Sequence, residues 1–166
     1  MHVADTGMNE IIVSIATAGL AKNAQPFVYI ILQNSGQVIQ TRNQFVENGR
    51  TQFILNKDSL PGGVTQITLF DADKQPQCER LYFKRPKEKM LLSAHADKNM
   101  YNPRSKVDIH VDAINSSGKK LKGNLSVSVF RLDSLYEPDP ENIFSYLWLS
   151  SDLRGPVEMP GYYVNN

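Results

Sequence analysis

The chain has 166 residues, with 18 Lys and Arg against 17 Asp and Glu and a formal net charge of +1. Charge so close to neutral gives no overall electrostatic pull toward nucleic acid or anionic lipid, and no run of about 18 apolar residues exists to cross a bilayer as a helix. The single cysteine, Cys78, cannot close an internal disulfide, so it does not identify a redox compartment.

The length suits one large or two small domains. No basic-then-apolar leader opens the chain, which predicts an export signal either absent or already removed. Ile11, Val13 and Ile15 alternate with Ile12, Ser14 and Ala16, the period-2 pattern of a half-buried strand. Residues 27–32 are apolar on both faces, which predicts a central strand covered on both sides. Asn34-Ser35-Gly36 supplies turn chemistry, and Asn48-Gly49 is a hairpin dipeptide leading into a strand with Thr51, Phe53 and Leu55 on one face. Thr65, Ile67 and Leu69 share another face, and across a tight turn at residues 71–74 Leu81 and Phe83 are expected to meet them. About six strands before Lys84 come close to what a small sandwich needs. Basic residues then gather at Lys84-Arg85-Pro86-Lys87-Glu88-Lys89, which reads more simply as a linker than as a binding patch.

The second half repeats the plan loosely. Leu92, Ala94 and Ala96 oppose Ser93, His95 and Asp97 across one strand. Val107, Ile109, Val111 and Ala113 predict a buried face, with Asp108, His110 and Asp112 on the other side. Asn115-Ser116-Ser117-Gly118 turns the chain, and Leu125, Val127 and Val129 are expected to return it as a strand. Asp139-Pro140-Glu141 looks like an N-cap, a first-turn proline and a first-turn acid. Ile143, Tyr146 and Leu147 follow at helical spacing, with Gly155 as a stop and an irregular tail over 156–166. The predicted fold class is therefore all-β: tandem immunoglobulin-like or macroglobulin-like antiparallel β-sandwiches with one short helix near the C-terminus. The expected domains are 1–85 and 86–166, the second having too few strands to close by itself.

Tyr101-Asn102-Pro103-Arg104-Ser105-Lys106-Val107, with the alternating strand and glycine-containing turn after it, resembles the strand opening of a macroglobulin-like domain. Gly63-Val64 and Glu79-Arg80-Leu81 resemble the close of a preceding domain of that type. Leu149-Ser150-Ser151-Asp152-Leu153-Arg154-Gly155 and Pro160-Gly161-Tyr162-Tyr163 resemble a stretch of large bacterial envelope proteins. Many of those carry tandem macroglobulin-like domains and a TonB-dependent-receptor plug region. The resemblance covers roughly residue 60 onward. It implies an exported array of sandwiches, periplasmic or on the cell surface and attached to the outer membrane through the rest of the protein. It implies no ligand. The Gly-Cys-Gly-Glu-Gln motif of protease-trapping macroglobulins is absent, since Cys78 lies in Pro-Gln-Cys-Glu-Arg.

No nucleophile-elbow, zinc-protease, phosphate-loop or paired-cysteine motif occurs, and Cys78 reads as a small, partly buried strand residue. His95, Asp97, Asp108 and His110, with Asp112 beside them, would converge on a divalent metal if their two strands were neighbours in register. The alternative is an ordinary solvated sheet face. Asp71-Ala72-Asp73 hints at a calcium loop but lacks the later ligands, so turn chemistry explains it better. The acids Asp133, Glu137, Asp139 and Glu141 read as a solvated loop leading into helix capping. Trp148, Tyr162 and Tyr163, with Tyr146, are candidate ligand- or partner-binding residues, or else pack the helix and tail onto a sheet.

No cofactor is implied. The expected function is that of a non-enzymatic structural or interaction module of a larger exported envelope protein. Its partners would be other domains of the same polypeptide or an envelope protein, with no nucleic acid and no membrane insertion by this segment. A stand-alone glycan- or peptide-binding sandwich is the alternative, and a metal-dependent hydrolase around His95 and His110 is a third reading.

Overall fold

The computed structural model describes residues 1–18, 26–87, 90–129 and 142–165. The chain divides into two compact units, Met1–Pro86 with Asp139–Asn166, and Lys87–Pro138. The C-terminal segment therefore belongs with the first unit, whereas the sequence groups it with the second half. The residues of the expected cap at 139–141 and the acids Asp133 and Glu137 lie outside the described residues.

The first unit is an antiparallel sandwich. In chain order its strands are β1 (His2–Asp5), β2 (Glu10–Ala16), β3 (Phe27–Asn34), β4 (Gln37–Phe45), β5 (Arg50–Asn56), β6 (Gly63–Phe70) and β7 (Pro76–Lys84). One sheet runs β1-β2-β5 and the other β4-β3-β6-β7. Period-2 alternation seals one face of each: Ile11, Val13, Ile15, Phe53 and Leu55 from the first sheet join Val28, Ile30, Leu32, Ile67 and Leu69 from the second in one core. Both tight turns have positive φ at their two central residues, Ser35 (48°) and Gly36 (74°), then Asn48 (50°) and Gly49 (76°). Only the first closes a hairpin within a sheet. Asn48-Gly49 turns the chain where it leaves β4 and enters β5 of the opposite sheet, with Val46 fully buried at the crossing.

β3 is central, as its composition predicts, and its outer face is half covered rather than sealed. Aromatic rings lie there, with Tyr29 stacked on Phe70 at 5.2 Å and Phe27 edge-on to Phe45 at 5.6 Å. The register of β7 differs from expectation. Tyr82 stands opposite Thr65, Arg80 opposite Ile67 and Cys78 opposite Leu69, so Leu81 and Phe83 lie on the outer face with Gln66 and Val64. Cys78 and Tyr82 take the core-side places, and Arg80 occupies an inward position on an edge strand, where a charge discourages further pairing. The basic cluster is also more than a linker. Lys84 Nζ donates to the carbonyls of Lys57 and Leu60 (2.6 Å each), and Arg85 Nε donates to the carbonyl of Tyr163 (2.9 Å).

Two helices form near the C-terminus where one and an irregular tail are expected. α1 (Ile143–Trp148) starts at Asn142, whose Oδ1 accepts from the amides of Phe144 and Ser145 while the Ser145 hydroxyl accepts from the Asn142 amide. That reciprocal box fixes the start of the helix. α1 ends at Trp148, well before Gly155, and α2 (Pro160–Asn165) begins on a proline after Met159 (φ 48°).

The second unit contains β8 (Leu91–Ala96) and β9 (Ile109–Ile114), paired antiparallel with His95 opposite His110. Its expected buried face is open: every residue of β8 is exposed, and Ile109 and Val111 are 54% and 41% exposed. The return strand at Leu125, Val127 and Val129 is not formed. Lys120 bridges Ile114 and the Leu121 amide donates to the Ala113 carbonyl (2.9 Å), after which no further ladder is described. The second sandwich of the expected tandem is thus represented, among the described residues, by one strand pair. No helix of the described residues is long and apolar enough to cross a membrane.

Candidate functional site

Two regions hold the residues singled out from the sequence, one in each unit. In the first, α1 sits on the turn before β6. A Cβ at Gly62 would lie 3.1 Å from Trp148 Cζ3, and one at Gly63 (φ +90°) would lie 3.2 Å from the Trp148 carbonyl. Only glycine lets the indole approach this closely. The Asn34 amide clamps the turn by donating to the carbonyls of Gly62 (3.2 Å) and Val64 (2.9 Å). Phe83, displaced to the outer face by the β7 register, meets the Tyr163 ring edge-on at 6.4 Å. Val64, Leu149 and Val164 are buried in this unit but lie outside the main core.

Of the aromatic candidates, Trp148 is half-buried in this seat and Tyr163 leans on Phe83. Tyr162, at 61% exposure, and Tyr146 present most of their surface to solvent. A groove of about 650 Å³ runs beside the outer face of β6 and β7, lined by Gln66, Glu79, Leu81, Asp152, Arg154 and Val157 among others. None of the four aromatic residues lines it. Sequence reasoning missed the Gly62-Gly63 seat. Its signal was the paired glycine after Pro61, immediately before a strand.

In the second unit the strands are neighbours and the histidines are directly opposite, their rings nearly parallel at 5.4 Å. The carboxylates do not complete a metal site. Asp97 accepts from the Tyr101 hydroxyl (2.5 Å) and the Asp108 amide (3.1 Å), and the Tyr101 bond is the main reason its carboxyl is held below the ordinary value of 3.8. Asp108 faces Lys106 at 2.8 Å and Asp112 faces Lys120 at 4.0 Å. Among the described residues no three His, Cys, Asp or Glu side chains converge where a metal could be held. His95, Asp97, Asp108 and His110 thus share a solvated sheet face. Likewise the Asp71 carboxylate is engaged within its own turn, accepting from the amides of Asp73 and Gln75 and from the Gln77 side chain.

The remaining feature of the second unit is an edge. The Asp97 amide donates to the Asp108 carbonyl (2.9 Å), so even-numbered residues of β9 bond toward β8. The odd-numbered residues Ile109 and Val111 turn their amides and carbonyls the other way, where, among the described residues, only Ala113 is met, by Leu121. Comparison with protein-family models, with curated proteins and with solved structures finds no match for this chain.

Proposed function

We propose that the chain is a non-enzymatic structural and interaction module, a closed sandwich frame carrying an unfinished strand pair, within a larger exported envelope protein. The observation that carries this reading is the contrast between β2, paired on both edges and buried, and β9, which among the described residues is regular but open along one edge and on its apolar face. A lone strand pair is marginal in water and gains stability when further strands cover it. The envelope setting rests on the resemblance of residues 101–107 to a macroglobulin-like domain and of the C-terminal motif to a stretch of large bacterial envelope proteins. Partners would be other domains of the same polypeptide or an envelope protein. The glycan- or peptide-binding alternative has only a small pocket of about 280 Å³ beside Trp148, where the indole already seats α1 on the glycine turn, and the larger groove is lined by none of the four aromatic residues.

Native-state hydrogen exchange on the full chain tests the reading. Amides of β3 and β6 should exchange only through global opening, whereas those of β8 and β9 should exchange through cheap local opening. Equal protection in both units would mean the strand pair is already complete, and the proposal would fail.

A further inference from the structure

We infer that the open edge of β9 is an acceptor for an added antiparallel strand of alternating apolar and basic residues, a partner segment distinct from a second copy of this chain. The inference rests on the interaction-module reading and names what its open edge takes. Along residues 108–112 the edge offers the backbone groups of Ile109 and Val111, and Leu121 already occupies the position beyond, at Ala113. The first unit contains the completed version: β5 pairs along the second edge of β2, placing Phe53 opposite Val13 and Leu55 opposite Ile11. A strand added to β9 in the same way would place its apolar residues opposite Ile109 and Val111, extending the apolar face that Ala94 and Ala96 share with them.

Charge selects the occupant. Residues directly opposite each other in an antiparallel pair lie on one face and interact, and like charges there are destabilising. With Ala113 occupied, self-pairing of two copies within 108–112 centres on His110 and sets Asp108 opposite Asp112 at both ends. A lysine- or arginine-bearing strand meets those two carboxylates favourably. Their present partners Lys106 and Lys120 are on exposed arms, 83% and 88% accessible, and such pairs hold weakly.

The test uses the isotopically labelled full chain and a soluble synthetic peptide of alternating valine and lysine, about six residues long. At saturating peptide the amides of Ile109 and Val111 should exchange about tenfold more slowly, and a valine–glutamate peptide should leave them unchanged. In the Asp108→Lys, Asp112→Lys double variant the preference should reverse. Four outcomes would overturn the inference: no slowing with either peptide, equal slowing with both, slowing confined to Leu92 and Ala94 on the β8 edge, or slowing without peptide that grows with protein concentration. Failure here with β8 and β9 still exchanging fast leaves the module reading intact. Slow exchange throughout removes that reading itself.

Discussion

The two units are built on the same device, an antiparallel strand pair, and reach different states. β1–β2 and β8–β9 both hold regular registers with alternating apolar residues. In the first unit β5 adds to β2 and a second sheet closes over the inner face, so Ile11 and Val13 are fully buried. In the second, no described strand arrives, and Ile109 remains 54% exposed. The alternation of a strand is therefore sufficient to form a pair but not to bury it. Burial is decided by distant segments, which is where most of the hydrophobic stabilisation comes from.

Truncating equivalent side chains in the two pairs should separate them most strongly. Ile11→Ala, at a fully buried position of β2, should cost about 2–5 kcal/mol and move the denaturation midpoint of the sandwich accordingly. Ile109→Ala should stay within about 0.5 kcal/mol, as exposed substitutions do. Comparable losses at both sites, measured by urea unfolding, would mean that Ile109 is covered in solution and that the contrast is false.

A smaller effect is expected at the glycines. Gly63→Ala forces a Cβ onto a residue at φ +90° and against the Trp148 carbonyl, which should cost about 1–3 kcal/mol and loosen α1, seen as a red shift of the single tryptophan's emission. Gly118→Ala, at φ +79° with nothing within 4 Å, carries only the backbone cost, about 1 kcal/mol, and should leave that emission unchanged. An unshifted emission in Gly63→Ala would show that Trp148 does not depend on the glycine seat.

These contrasts also explain what could be read from the sequence. Ile11, Val13 and Ile15, or Thr51, Phe53 and Leu55, alternate cleanly because one face meets the core and the other meets water, so pattern and burial agree. β7 misleads because Leu81 and Phe83 are apolar on the outward side. Phe83 meets Tyr163 of α2, a residue far along the chain whose contact no local pattern encodes. The reverse error occurs at β9, where Val111 and Ala113 carry a core pattern without a cover. His95 and His110 are legible as polar-face residues of two strands, but the sequence leaves their pairing open, and the loss of Asp97 to Tyr101 depends on a loop conformation that spacing does not specify.

An Asp–Tyr contact spans the sandwich and makes its stability depend on pH. Asp5, at the end of β1, accepts from Lys57, from the Gly7 amide (2.8 Å) and from the Tyr82 hydroxyl of β7 (2.9 Å), so it ties the two sheets together. The Lys57 hydrogen bond leads in holding its carboxyl below the ordinary 3.8, while burial leads in pushing the Tyr82 hydroxyl up to about 12. The signs then oppose. Asp5 contributes stability above its unfolded pKa that is lost as pH falls through its folded value. Tyr82 contributes stability present below its unfolded value of 10.0 that is lost as pH rises toward about 12. Melting temperature should thus fall at both extremes, and Tyr82→Phe should flatten the alkaline arm while moving the acid loss to higher pH. An alkaline arm unchanged in Tyr82→Phe would assign it to other groups.

The second unit carries the same chemistry on a shorter tether, and there the expected effect is smallest. Asp97 and Tyr101 are four residues apart, and their bond closes a loop between neighbouring strands rather than joining two sheets. Asp97 is held below 3.8 chiefly by that bond, and its linkage has the same sign as that of Asp5: stability present above the unfolded pKa and lost as pH falls. Removing the donor with Tyr101→Phe should raise the Asp97 titration midpoint toward 3.8, read from its side-chain carboxyl resonance, and leave the melting temperature of the sandwich where it is. Both groups are solvent-accessible, so water replaces the lost hydroxyl at little cost. A fall in the sandwich's melting temperature would show that the loop reports on global folding, as Asp5 does. Separation of the two readouts would instead establish that one interaction stabilises a fold only where its partners come from distant parts of the chain.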